Sequence, residues 1–315
     1  MTAIFLLQLV LPLFAIAWIA LAPLNSTLGF FCQCVGAAAG LSALALTGLW
    51  LFPPWWSPYV FAALLMAAVW VGWRRRYPFA SRLPSNWKAW IVTAAFVPIG
   101  GWGAVQSASG LAGHVQHAGV MVDLAFPLKG GTYLVVNGGS NISVNAHLMT
   151  LDASMARFDA YRGQSYGADI VKIDAWGLRA NGLQPSNPAA YDIYAAPVYA
   201  PCTGAVLIAL DGLPDMQVPH VDRQHMAGNR VLLRCTDADV LLGHLKPGSV
   251  VVVAGNTVAS GDRIGSVGNS GNTGEPHLHL HAQERATVAE PLSGNPLPMR
   301  FNGRFLVRND RVVAR

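Results

Sequence analysis

The first 73 residues of this chain contain no Asp, Glu, Lys or Arg. A water-facing domain needs charge on its surface, so an uncharged segment this long has to fold in another solvent. Four apolar stretches precede Gln106, at 4–23, 28–52, 56–73 and 88–105. Each approaches or exceeds the ~20 residues with which a helix crosses a ~30 Å hydrocarbon core. The breaks fall at Pro23–Thr27, at Pro53–Trp56 and in the arginine-rich segment 74–88. Tryptophans and tyrosines at 55, 56, 59, 70, 73, 77, 87 and 90 sit near the ends of the stretches, as an interfacial aromatic belt does. A buried core helix would explain one such stretch, but not four in succession. A cleaved signal peptide fits the first poorly, because it lacks a basic n-region and a small-x-small cleavage site.

The charges that do occur fix an orientation. Arg74, Arg75, Arg76, Arg82 and Lys88 come first, and the first acidic residue is Asp123. Lys and Arg mark the cytoplasmic loops, which places 74–88 inside and everything after about residue 106, like the N-terminus, outside. These five cations equal the formal net charge of +5, so the other 16 basic and 16 acidic residues cancel. The positive balance therefore belongs to one loop, and a basic nucleic-acid-binding surface is excluded. No charge inside the spans marks an ion pathway. They read as an anchor in the lipid bilayer, or as a unit that senses or binds a membrane-protein partner.

The expected organisation is an all-α membrane domain of about four transmembrane helices over 1–105, a juxtamembrane linker over 106–136, and a second domain over 137–315. His114 and His117 lie in the linker and read as surface residues rather than ligands. From about residue 120, short β-branched runs recur: 204–209, 230–234, 240–242, 250–253 and 263–267. Turn signals separate them at Asp211-Gly212, Lys246-Pro247-Gly248, Gly255-Asn256 and Ser260-Gly261-Asp262. That pattern predicts an all-β antiparallel sandwich or barrel-like domain.

Seven of the nine histidines lie beyond residue 140, three of them in His277-Leu278-His279-Leu280-His281. On a strand these imidazoles share one face, about 7 Å apart, while Leu278 and Leu280 point into the core. Such a face suits a metal site in which one imidazole binds the ion and its neighbour acts on the substrate. Taken alone, the motif serves equally well as a polar strand face. Its context does not: a glycine-rich run, Gly265 to Pro276, precedes it, and Gly243-His244-Leu245 ends an upstream strand.

Gly243-His244-Leu245, Gly261-Asp262, Ile264-Gly265, Gly268-Asn269-Ser270-Gly271-Asn272-Thr273 and His277-Leu278-His279 together resemble the signature of the lysostaphin-like (LytM-type) zinc metallopeptidases. Ala200-Pro201 and Gly204-Ala205-Val206 resemble that family's strand leading into the core. The resemblance spans about residues 137–285. It implies a compact β core with a groove, one Zn²⁺, and hydrolysis of peptide bonds in peptidoglycan cross-links or stem peptides. It also implies a bacterial inner or cytoplasmic membrane, with the peptidase domain extracytoplasmic.

Carried over position by position, the metal ligands are His147, Asp169 and His279, and the catalytic pair is His244 and His277. Many family members place three residues between the first His and the Asp. Here 21 residues intervene. Asp174 is therefore the runner-up ligand and Asp152 a third. Two imidazoles and a carboxylate leave tetrahedral zinc one open position for water, which the metal activates while the histidine pair serves jointly as general base and oxyanion stabiliser. His281 has no role in the family and reads as a supporting or rim residue. His220 and His225 belong to a polar loop beside the groove.

Cys202 and Cys235 flank predicted strands, and an oxidising compartment would allow them to pair. Cys32 and Cys34 read as small buried hydrophobes. Two other functions stay open at this stage. One is an inactive family member acting as a membrane-bound regulatory module. The other is a peptidase for exported proteins or peptides. A pro-segment or occluding loop, if there is one, is expected in 106–140.

Overall fold

Four helices lie within the first 112 residues. A computed structural model of the protein describes every residue except 1–4, 23, 117, 118, 286 and 288. Helix α1 (Leu6–Leu21) opens with a π-helical turn over Leu6–Val10. Helix α2 (Thr27–Thr47) starts where Ser26 Oγ accepts from the Gly29 amide at 3.2 Å, an N-cap that ends the preceding loop. Pro58 sits in the first turn of α3 (Ser57–Arg76), and α3 closes on Arg74, Arg75 and Arg76, whose charges complement a helix C-terminus. Helix α4 (Trp87–Ala112) contains Pro98.

Three of these helices, α2, α3 and α4, are long and apolar enough to cross a membrane. The four spans expected from sequence thus become three and a shorter apolar helix. At 16 residues α1 reaches about 24 Å, short of the hydrocarbon thickness. Helices α2 and α4 pack closely through small residues: a Cβ at Gly103 would lie 2.6 Å from the Ala39 backbone. Large apolar and aromatic side chains, among them Tyr59, Met66, Trp70, Trp87 and Trp102, face outward.

The chain divides into Met1–Ala112 and Gly113–Arg315. Of the expected linker, 106–112 continue α4, while Val122–Leu124 (β1) and Gly131–Asn137 (β2) are strands of the second unit. His114 lies in a turn just past the boundary and is exposed. His117 falls outside the described residues, as does Pro23.

The second unit is built on one antiparallel sheet of nine strands. Its strands are β2, β3 (Ala168–Ile173), β5 (Gly204–Leu210), β6 (Asn229–Arg234), β7 (Asp239–Leu245), β8 (Thr257–Val258), β10 (Leu278–Gln283), β11 (Pro296–Leu297) and β13 (Arg311–Ala314). The order is β13-β2-β3-β10-β7-β6-β5-β8, with β11 added to β10. Two small pairs accompany it: β4 (Pro197–Tyr199) with β9 (Arg263–Ser266), antiparallel, and β1 with β12 (Met299–Phe301), parallel. The run Val250–Val253 is not a strand. Val250 and Val252 pack on the core while Val251 and Val253 are exposed, and the Asp211 carboxylate caps the turn by accepting from the Gly248 and Val250 amides.

Strand alternation gives the sheet two unlike faces. Leu278, Leu280, Ala282, Val240, Leu242, Val231 and Leu233 point into the main core with Ile170 and Val135. Leu232 and Leu241 point the other way, into a smaller cluster with Ala227 and Leu292. His279, His281 and Asp169 lie on this second face, because their immediate neighbours in sequence belong to the first. Cys202 and Cys235 form a disulfide with a Cα–Cα distance of 6.0 Å.

Candidate metal centre and histidine cluster

Asp169 sits on β3 between the core residues Ala168 and Ile170, so its side chain has to emerge on the opposite face. There β10 lies beside β3, with His279 directly opposite Asp169. Asp169 Oδ1 is 2.8 Å from His279 Nδ1 and 3.5 Å from His277 Nε2. Asp169 Oδ2 is 2.9 Å from His147 Nε2.

His147 reaches the carboxylate from a different element. It lies at the start of the 3-10 segment Ala146–Leu151, whose cap is Asn145. Asn145 Oδ1 accepts from the His147 amide at 3.1 Å, and Asn145 Nδ2 donates to the Gly167 carbonyl at 3.1 Å. One fully buried side chain thus fastens the first histidine to the strand that carries the aspartate. The 21 intervening residues loop out through a second 3-10 segment, Ala156–Gln164, and return at Gly167. The long interval in sequence therefore costs nothing in space.

Two β-bulges complete the arrangement. Asn137 pairs with Asp169 only because the register slips between Val135 and Asn137. The slip turns Asn137 onto the site face, where its Nδ2 donates to Asp169 Oδ2 at 2.8 Å. Arg308 donates in turn to Asn137 Oδ1 at 2.9 Å. The second slip lies between Asn229 and Val231 on β6, opposite Leu242 to Leu245 on β7. His244 there takes a left-handed backbone, φ 60°, unusual for a residue with a Cβ. Without this bulge His244 would follow Leu242 into the core; with it, Leu245 takes the core position and His244 faces His277 and His279.

The two further imidazoles have fixed tautomers. His244 Nδ1 lies 2.8 Å from the Ser270 carbonyl and His277 Nδ1 lies 2.9 Å from the Glu275 carbonyl. A carbonyl only accepts, so in each ring Nδ1 carries the proton and Nε2 is left for the site. The rings stand 4.8 Å apart, centre to centre. Arg179 holds the Glu275 carboxylate through Nε and Nη2 at 2.7 and 2.8 Å, steadying the turn before His277.

Burial pushes the Asp169 carboxyl up, but the imidazoles of His147 and His277 outweigh it and hold the group well below the usual carboxylate range. Burial drives the His244 pKa well down, helped by His277 and His279. Burial also lowers His277, but Asp169 and the Glu275 carbonyl raise it above the ordinary value. Two adjacent imidazoles are thus pushed in opposite directions, the usual arrangement where one group takes a proton and another gives one.

His147, Asp169 and His279 offer ligand atoms within 4.8 Å of one another, close enough to hold a metal ion. The set fits zinc chemically: two imidazole nitrogens and a carboxylate oxygen, with a fourth position left over. It also explains why an almost fully buried carboxylate faces imidazole nitrogens on both of its oxygens. With Nδ1 of His279 turned to Asp169, its Nε2 lies 2.9 Å from His281 Nδ1. His281 is fully buried, and its own Nε2 has no partner among the described residues.

The alternative carboxylates lie elsewhere. Asp174 accepts from the Trp176 and Leu178 amides and shapes a turn, while Asp152 is exposed and binds Ser154. His225 pairs with Asp222 at 2.7 Å, away from the cluster. Asn137, Asn145, Arg179 and Arg308 were not anticipated from sequence. Of these, only the Asn145-Ala146-His147 cap carries a local signal.

Residues 189–291, which lie within the second unit, match the model of Peptidase family M23. The match includes His244, His277 and His279 but begins after His147 and Asp169. No curated protein matches the chain. Among solved structures, the chain is similar to a zinc-containing peptidase from Vibrio cholerae at 26% identity, covering 30% of this chain and 24% of that one, with a TM-score of 0.23. It thus spans about a quarter of that protein's length. It is also similar to the catalytic domain of lysostaphin from Staphylococcus simulans at 20% identity, covering 40% and 71%, with a TM-score of 0.26. A third similarity is to the SpoIIIAH and SpoIIQ complex at 17% identity, covering 56% and 96%, with a TM-score of 0.32.

Proposed function

We propose that this protein is a membrane-anchored zinc endopeptidase that cleaves peptide bonds in peptidoglycan cross-links or stem peptides on the outer side of a bacterial cytoplasmic membrane. The observation that carries this reading is the approach of His147 Nε2 and His279 Nδ1 to the two oxygens of one buried carboxylate, Asp169, beside two more imidazoles of fixed tautomer. Those three side chains would hold the zinc ion. Zinc bound there supplies a Lewis acid for the scissile carbonyl and lowers the pKa of water to about 7.

The remaining work falls to His244 and His277. Each presents Nε2 to the space beside Asp169 and His279, where a neutral ring accepts a proton and a protonated ring donates to a developing oxyanion. The backbone carbonyls of Ser270 and Glu275 keep both rings in the productive orientation. A regulatory module that has lost catalysis would be expected to lack a ligand or one of this pair, and all five side chains are present. The disulfide and the cationic loop 74–88 both support an extracytoplasmic catalytic domain.

The test uses the full chain in detergent, incubated with purified peptidoglycan sacculi and, separately, with a denatured protein. Release of soluble cell-wall fragments by the wild type, lost in His244→Ala and His277→Ala, is the expected result. Cleavage of the denatured protein alone would move the substrate to exported proteins. Stoichiometric zinc with no cleavage of either would leave the regulatory reading.

A further inference from the structure

The face that carries Asp169 and His279 continues past them. On β7 it presents Leu241, and on β6 it presents Leu232 and, two residues earlier, Arg230. A cavity of about 790 Å³ lies on this stretch, walled by the 3-10 segment Ala156–Gln164, by residues 224–227 and by residues 289–293. One wall is tied to the histidine cluster, where the Ala227 carbonyl accepts from the His244 amide at 2.8 Å, and the other two are tied to each other, where the Leu292 carbonyl accepts from the Gly163 amide at 2.7 Å. The floor is apolar, formed by Ala227 and Leu292 with Tyr161 packed against them.

One charge rises from that floor. Arg230 is partly buried, its Nη1 donates to the Gly228 carbonyl at 3.1 Å, and its buried Nε has no acceptor. No carboxylate lies within ion-pair distance of it among the described residues. A guanidinium partly withdrawn from water with no anion beside it carries a cost to the fold, which an anionic ligand would offset. The cavity's other charges differ in place: Asp159 and Glu290 are exposed at the rim, and Arg162 is partly exposed there.

We propose that this cavity is a carboxylate-binding subsite of the peptidase, with Arg230 as the residue that selects an acidic substrate. The inference rests on the peptidase reading above. The planar guanidinium matches a carboxylate in two parallel bonds, which a ligand in the cavity would make to the Nη groups, since Nε is buried out of its reach. Spacing follows from register. Gly243 on β7 is paired with His279 on one side and, together with His244, lies opposite Arg230 on the other. Arg230 and His279 are thus two strand spacings apart, about 10 Å, which an extended peptide covers in about three residues. The carboxylate belongs to a residue about three positions from the bond that is cut. The exposed rim acids are screened by water and salt, so they disfavour shallow binding of an anion more than deep binding.

Two measurements on the full chain in detergent test this. The first sequences the products of a random peptide library with blocked termini. Wild type is expected to enrich Glu or Asp about three positions from the cleaved bond, with at least about a tenfold preference over Gln, as a charge-assisted bond gives. R230Q is expected to lose that preference by raising KM more than it lowers kcat, while its zinc content stays that of wild type. R230E, at the same position, is expected to favour Lys there instead. The second measurement is NMR binding of N-acetyl-glutamate amide and of N-acetyl-alanine to wild type and R230Q. Binding of the first alone assigns the site to a side-chain carboxylate, and of the second to a chain terminus. Cleavage without an acidic preference, or a preference that R230Q retains, overturns the subsite and leaves the peptidase intact. Binding that depends on Arg230 without any cleavage upholds the subsite and removes the peptidase reading. No binding and no cleavage removes both.

Discussion

Asp169 is the residue on which the candidate centre turns, because every other ligand is oriented by it. Replacing it by Asn keeps the size and the Asn137 neighbour but removes the charge that two imidazoles face. Elemental analysis of the purified full chain is expected to fall from about one zinc per molecule to background in Asp169→Asn and in His279→Ala. The supporting residues make a graded prediction. Asn137 donates to Asp169, and His281 lies within hydrogen-bond distance of His279 Nε2. Asn137→Ala and His281→Phe are each expected to weaken zinc binding about 10- to 100-fold by chelator competition without unfolding the protein. Unchanged affinity in both would mean that the ligands orient themselves.

At the scale of elements, the site depends on departures from regular sheet. Ideal alternation would send His244 into the core and turn Asn137 away from Asp169, and two register slips reverse both. The disulfide acts on the same sheet from its far side. It links Cys202, just before β5, to Cys235, just after β6, over 33 residues. Closing a loop of that length in the unfolded chain corresponds to about 3–4 kcal/mol. The double variant Cys202→Ser/Cys235→Ser is therefore expected to unfold at a clearly lower denaturant midpoint than wild type. A midpoint that does not move would show that the reduced unfolded chain is already constrained.

At the scale of the whole molecule, orientation in the membrane is the claim most open to direct measurement. Single cysteines at Ser81 and Ser293, in a background lacking Cys32 and Cys34, are expected to label differently with an impermeant thiol reagent. Ser293→Cys reacts in intact spheroplasts, and Ser81→Cys only after the cytoplasmic membrane is opened. The reverse pattern would place the second unit in the cytosol. The β unit also has an alkaline limit. Burial pushes the phenols of Tyr133, Tyr191 and Tyr194 up to about 12. Since the folded-state value exceeds the ordinary 10, stability is unaffected below about pH 10 and is lost as pH rises from there through about 12. Phenolate absorbance and unfolding should therefore rise together in that window.

The sequence alone determined those properties that follow from composition and short-range pattern. The absence of charge before Arg74 required an apolar solvent. The β-branched runs required a sheet, and alternation in His277–His281 required three imidazoles on one face. It could not determine the span count, since α1 and its neighbours differ only in where a helix happens to end. Nor could it show that Val250–Val253, alternately packed and exposed, stops short of a strand although the Val251 amide donates to the Ile264 carbonyl of β9 at 3.1 Å. Tertiary structure decided which aspartate meets His147, because 21 residues of loop bring Asp169, not Asp174 or Asp152, to the imidazoles. It also decided the second rank of the site, Asn137, Arg308 and the left-handed backbone of His244. The physical reason is the same in each case: a bulge or a long loop changes which face a side chain occupies, and that choice is made by the strands packed beside it.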